Sequence, residues 1–153
     1  MLENDRNVAS AHAFSGAVLA FLGRPAETFP YEETALRLGP RDTNRHVWES
    51  NICLAHALMG QRENAVEWCQ KSIATNPGLP FSYVLLAAAN AWLGHNAEAK
   101  AAVAALQKLN PGFTVQDYAN FNWSDNPTFK REYGGIVEGL RKAGLPEGEK
   151  KTD

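Results

Sequence analysis

The side chains able to carry chemistry are few and scattered along the chain. His12, His46, His56 and His95 are all the histidines there are, and no two stand four residues apart, as a zinc-binding helix face requires. Cys53 and Cys69 lie sixteen residues apart, a separation matching neither a metal knuckle nor a redox motif, and two cysteines make no disulfide framework. They are expected to be small buried hydrophobes on facing helices. No Gly-x-Ser-x-Gly elbow exposes a serine nucleophile. Gly134, Gly135 and Gly139 suggest a phosphate loop only weakly, because no strand leads into them. The basic pairs Lys130-Arg131, Arg141-Lys142 and Lys150-Lys151 read as solvated charges rather than a phosphate-tracking stripe. No catalytic constellation emerges, so the expectation is a non-enzyme with no cofactor and no metal.

The bulk properties fit one soluble globular domain. The chain has 153 residues, 44% hydrophobic, enough for one globular core. Its 15 basic and 17 acidic residues leave a formal charge of −2, too small a field to favour nucleic acid or an anionic membrane. The longest uncharged apolar run, Tyr83 to Leu93, is well short of the roughly 20 residues that span a bilayer. The polar start Met1-Leu2-Glu3-Asn4-Asp5 has no signal-peptide character, so the expected location is cytoplasmic.

What organises the chain is a repeat. Leu22-Gly23-Arg24, Met59-Gly60-Gln61 and Leu93-Gly94-His95 carry the same punctuation, and each is followed by a proline, at Pro40, Pro77 and Pro111. Glycines and prolines alike are 37 and then 34 residues apart. Each glycine ends a helix in the left-handed region. Each proline stops the next helix, because it lacks an N–H and forces its predecessor out of the α region. Every unit is therefore helix, tight turn, helix. Small or short residues fall where the two helices must approach: Gly16, Cys53 and Ala87 in the first helices, Thr28, Ala65 and Ala99 in the second.

With this spacing the sequence resembles the tetratricopeptide repeat family. Ala35-Leu36-Arg37-Leu38-Gly39-Pro40 and Ala97-Glu98-Ala99-Lys100 look like its second-helix wording. The expected fold is all-α: an α-α superhelix of three helix pairs, over residues 8–40, 45–77 and 79–111. A polar lead (1–7) precedes it; a helical cap (112–144) and a charged, disordered tail (145–153) follow. Thr28 and Ser72 depart from the usual alanine, and Pro30 should bend or delay the second helix of the first repeat.

Charge separates the two helices of each unit. Residues 8–22 and 80–93 contain no Asp, Glu, Lys or Arg, and residues 46–59 contain only Glu49. The second helices carry charges such as Glu27, Glu32, Glu33, Arg37, Glu63, Lys71 and Glu98. An apolar helix needs cover on several faces, whereas a charged stripe faces water, so the first helices line the inside of the stack. By the resemblance, the groove-facing side chains are Phe14, Ala17 and Phe21, then Ser50, Asn51, Leu54 and Leu58, then Val84, Leu85, Ala88 and Trp92. Chaperone-binding members hold a C-terminal carboxylate with lysines and asparagines on these faces. Here only Ser50 and Asn51 match, which excludes such a clamp. The expectation is an apolar groove for a protein segment, with Phe14, Phe21 and Trp92 as anchors; the competing expectation is that the chain's own C-terminal part fills it.

Six of the fifteen aromatic residues lie between Phe113 and Tyr133 and must pack on something. Ser124-Asp125-Asn126-Pro127 reads as a capped helix start, with Phe129, Tyr133, Ile136, Val137 and Leu140 at helical spacing and Gly144 as the stop. This helix should cover the last repeat, with a bend or close contact at Gly134-Gly135. The endings Leu140 to Glu147, Pro111 to Thr114 and Asp125 to Phe129 resemble those of bacterial proteins that join tetratricopeptide repeats to a class III adenylate cyclase or a winged-helix regulator. That resemblance implies a signalling context, with any catalytic part outside these residues. A pocket beneath the C-terminal helix for a small molecule or substrate is a third expectation. Finally, the first helix is apolar all round at the end of the stack, which suggests either that further upstream sequence covers it or that a second copy does, as a homodimer through the N-terminal repeat.

Overall fold

A computed structural model describes residues 3–149, with side chains from residue 7 onward. Six helices build the stack: α1 (Glu3–Phe21), α2 (Thr28–Leu38), α3 (Arg45–Leu58), α4 (Arg62–Thr75), α5 (Pro80–Leu93) and α6 (Asn96–Leu109). They pack as pairs α1/α2, α3/α4 and α5/α6, and α2 and α4 in turn pack on the first helix of the next pair. No strand occurs among the described residues. The expected polar lead is helical from Glu3, while residues 1, 2 and 150–153 lie outside the described residues.

The turn inside each repeat follows from its glycine. Gly60 takes φ 71°, a region costly for a residue with a Cβ. Its N–H reaches Ala57 O at 3.1 Å and the next N–H, of Gln61, reaches His56 O at 2.9 Å. The same two bonds close α1 at Gly23 and α5 at Gly94, satisfying carbonyls that a helix end would leave open. In the first repeat a 3-10 turn, Pro25–Glu27, is interposed and α2 starts only at Thr28. Pro30 thus falls in the first helical turn, where its missing N–H costs nothing.

Helix pairs meet where the small residues stand. Gly16, Thr28, Cys53, Ala65, Ala87 and Ala99 are all buried. Thr28 Oγ1 donates to Gly16 O at 2.9 Å, so the residue that departs from alanine is accommodated by a backbone carbonyl. Ser72 is accommodated similarly, donating to His46 O at 2.7 Å and lying 2.8 Å from Ser82 Oγ, which in turn lies 3.1 Å from Ser50 Oγ. Ser50 belongs to this interior hydroxyl chain, at 1% exposure, and is not a groove residue as expected. Glu49, also buried, accepts from Arg45 Nε at 2.8 Å and from Thr75 Oγ1 at 2.7 Å.

Cys53 and Cys69 form a disulfide joining α3 to α4, with Cα atoms 5.3 Å apart. This corrects the expectation of two separate buried thiols. Helix packing at the small-residue contact brings Cβ atoms close enough to bond, which residue spacing alone does not reveal. Persistent disulfides belong to oxidising compartments, so cysteine chemistry lends no support to the cytoplasmic expectation. No helix among the described residues is long and apolar enough to cross a membrane.

The C-terminal part adds α7 (Val115–Ala119) and α8 (Pro127–Ala143). α7 opens with a capping box between Thr114 and Asp117. α8 is capped by Asn126, whose side chain accepts from Phe129 N at 3.0 Å, with Pro127 at the first position. It packs chiefly on α5 and also touches α3 and α6. α8 approaches α5 closely at Gly139, and Gly135 O also accepts from Trp92 Nε1 at 2.9 Å. A Cβ on Gly139 would sit 2.9 Å from Ala88 Cβ and from Trp92 Nε1, whereas one on Gly134 or Gly135 meets nothing within 4 Å. The start of the expected disordered tail is ordered: Leu145 is buried, and Val115 N and Gln116 N donate to Pro146 O and Glu147 O at 2.9 and 3.0 Å.

The disulfide closes a loop of sixteen residues, which the chain-entropy model values at about 3 kcal/mol. A Cys53→Ala/Cys69→Ala chain, or the parent in excess dithiothreitol, is expected to melt roughly 6–12 °C lower while keeping its helical circular dichroism. Coincident melting curves would show that the bond adds no stability.

Candidate binding groove

The concave face is divided by the chain itself. α8 lies over its far end: Leu58 and Ala88 line a small residual cavity of about 220 Å³ against Gly135 and Ile136 of α8. Trp92, expected to be an anchor for a partner, is engaged internally. Its Nε1 donates to Gly135 O at 2.9 Å, and the Arg62 and Lys142 cations sit 5.0 and 5.8 Å from its ring centroid. Leu85, expected in the groove, is completely buried in the core.

The near part of the face is open. Phe14, Ala17 and Asn51 line a depression of about 310 Å³ together with Ser10, Ala13, Asn44, Val47 and Trp48. Phe14 is 73% exposed. Phe21, Asn51, Leu54 and Val84 line a second cavity of about 390 Å³. The remainder of that lining includes Phe81 of α5 and Phe113, Tyr118, Phe121 and Trp123 of the C-terminal segment. Asn51 borders both, so the two cavities adjoin there and together make a strip along this face. Neither is lined by any Asp, Glu, Lys, Arg or His.

The C-terminal aromatic residues divide into two sets. Tyr118, Tyr133 and Phe129 stack within the core, with centroids 4.6 Å apart for Tyr118–Tyr133 and 5.3 Å for Phe129–Tyr133, and Tyr133 Oη donates to Tyr118 O at 2.6 Å. Burial pushes the pKa of Tyr118 well up, and that of Tyr133 also above its usual value, so both stay neutral hydroxyls. Phe121 and Trp123 remain about half exposed. Trp123 stacks on Phe21 at 5.5 Å and lies 5.5 Å from Phe121. Sequence reasoning placed Phe21 in the groove but gave it no aromatic partners. The signal available was the cluster itself, which had to pack against some surface.

Beneath the strip lies an unusual carboxyl. Glu32 was expected on a solvent-facing stripe, yet it is completely buried, beneath Gly16. Asn51 Nδ2 donates to its Oε1 at 2.8 Å, which fixes the amide at the junction of the two cavities. Burial raises its pKa from 4.5 to about 8, against the opposing effect of the Asn51 hydrogen bond. At neutral pH it is mostly a neutral acid, so it brings little charge to the strip.

The histidines make ordinary contacts. His12 lies 6.1 Å from the Tyr31 ring and His56 4.5 Å from Phe29, with His56 Nδ1 also 2.7 Å from Gln61 Oε1. No group of three or more metal-ligating side chains occurs among the described residues.

No family model and no curated protein matches the chain. Solved structures do. The Arabidopsis OM64 TPR domain matches with TM-score 0.64 at 14% identity, over 88% of this chain and 98% of that one. The first TPR of Spaghetti (RPAP3), bound to the HSP90 peptide SRMEEVD, matches with TM-score 0.63 at 18% identity, over 88% and 94%. YrrB, described as a TPR protein with an unusual peptide-binding site, matches with TM-score 0.59 at 20% identity, over 92% and 69%. The fold is therefore the tetratricopeptide-repeat superhelix. These comparisons lend nothing to the resemblance with cyclases and winged-helix regulators.

The raised pKa of Glu32 has a definite sign. The folded chain holds a proton that the unfolded chain releases, so this contribution to stability is complete below about pH 4.5 and is lost as pH rises through about 8. Glu32→Gln is expected to flatten that decline and to melt several degrees higher than the parent at pH 8. Parallel melting-temperature profiles from pH 5 to 9 would contradict a buried, proton-holding Glu32.

Proposed function

We propose that this chain is a non-enzymatic interaction scaffold that receives an uncharged, apolar segment of another protein along the open strip between α1, α3 and the Phe121–Trp123 loop. The observation that carries this reading is the adjacency of two cavities without charged lining residues, which share Asn51 as a border. An apolar strip with exposed aromatic rings at its edges gains free energy by excluding water around an apolar partner, at roughly 25 cal/mol per Å². Two of the structural neighbours are described by their peptides or peptide sites, which supports recognition of a segment. This strip lacks the basic side chains that would hold an acidic terminus, so the chemistry of its partner differs from that of SRMEEVD.

The rival occupant is a second copy of the chain, since Val8, Phe14 and Leu22 are exposed in the first repeat. A monomer by light scattering across micromolar concentrations is expected, and a stable dimer weakened by Phe14→Asp would assign the strip to self-association instead. Phe14→Asp changes an exposed residue, so it should leave the fold intact. It is expected to weaken capture of partner segments at least tenfold, and unchanged capture would remove groove recognition. In calorimetry, SRMEEVD is expected to show no saturable binding up to millimolar concentration.

A further inference from the structure

The larger of these two open cavities has a chemistry of its own. It is formed by Phe21 at the end of α1, Leu54 of α3, Phe81 and Val84 of α5, and the Phe121 and Trp123 rings of the C-terminal segment. Its volume of about 390 Å³ lies within the range of about 300–1,000 Å³ in which pockets accept whole ring systems. A lone aliphatic branch would leave much of that space unfilled, and unfilled space forfeits dispersion contacts. Six aromatic residues line it, so a further ring would find edge and face partners worth about 0.5–1.5 kcal/mol each beyond area burial.

Its few polar groups narrow the choice. The side chains of Asn51 and Asn110 are the amides in the lining. One N–H of the Asn51 amide is engaged with Glu32, which leaves its oxygen as an acceptor and its second N–H as a donor. An acceptor beside an apolar floor suits a neutral ring carrying one N–H or O–H donor. A charged group would be desolvated here with no counter-ion in the lining.

We propose that this cavity takes one aromatic side chain, tryptophan or tyrosine, from the partner segment that lies along the strip. The inference rests on the segment-binding reading and supplies its anchor. The shared border at Asn51 lets a backbone lying across Phe14 and Val47 lower a single side chain into the cavity. Buried rings in pockets are where interface energy concentrates, with the surrounding contacts excluding water.

The test is a display selection of random twelve-residue peptides on the full chain, followed by affinity measurement of the enriched peptides. Trp123→Ser removes a half-exposed wall of the cavity and Val84→Phe fills it from α5, so the two variants perturb it differently if one fails to fold. Enriched peptides are expected to carry Trp or Tyr without adjacent acidic residues, and to bind both variants and Phe14→Asp at least tenfold more weakly. Peptides lost with Phe14→Asp but lacking an aromatic residue, or unaffected by Trp123→Ser and Val84→Phe, would overturn the anchor and leave segment binding standing. No enrichment, or binding indifferent to all three variants, would overturn both. N-acetyltryptophanamide is the free-ring control; binding of this probe at the Asn51 and Asn110 amides with no enriched peptide would assign the cavity to small molecules and overturn the anchor.

Discussion

The seating of α8 against α5 is the contact on which the rest of the molecule turns. It requires a residue without a side chain at position 139, because Ala88 and Trp92 already occupy the place of a Cβ. Once α8 is seated, Phe129, Tyr133, Ile136, Val137 and Leu140 are buried, each contributing roughly 1.5–3 kcal/mol. That burial covers the far half of the concave face and fixes the loop carrying Phe121 and Trp123 beside Phe21. The open strip is thus what remains after the chain has covered the other half of its own groove. A C-terminal clasp, with Leu145 buried and the carbonyls of Pro146 and Glu147 bonded to α7, holds the other end of this arrangement.

Polar groups inside the stack are handled in two ways. Glu49 has a donor for each oxygen, Arg45 Nε for one and Thr75 Oγ1 for the other. Glu32 has one donor, Asn51, and its other oxygen is buried without a partner. The consequence for Glu32 follows from solvation: a buried carboxyl with a single amide donor is better off protonated. The result at the strip is a fixed amide and little charge, which is consistent with an apolar partner and poorly suited to an acidic one.

Much of this was legible from residue types. The glycine and proline punctuation located three helix pairs, and the Asn126-Pro127 start and Gly144 stop located α8. Phe14, Ala17, Phe21, Asn51, Leu54 and Val84 each line one or both of the two open cavities. Ser50 and Leu85 were misplaced because a helix almost free of charge gives no marker of which apolar face turns outward. Glu32 was misplaced for the converse reason: a charge normally marks a solvated face, and only the gap above Gly16 makes room for a carboxyl inside.

The sequence by itself determined the period, the helices and their stacking order, because these depend on local backbone chemistry: left-handed glycines, N–H-deficient prolines and the alternation of charge between helices. Tertiary structure decided the Cys53–Cys69 bond, the hydrogen bond of Trp92 to α8, and the joining of Phe21 to Phe121 and Trp123 in one cavity. These depend on which distant surfaces meet, and in a stack of similar helices many surfaces could meet on hydrophobic grounds. The choice among them is made by packing at single positions such as Gly139, whose significance is invisible until its neighbours are in place.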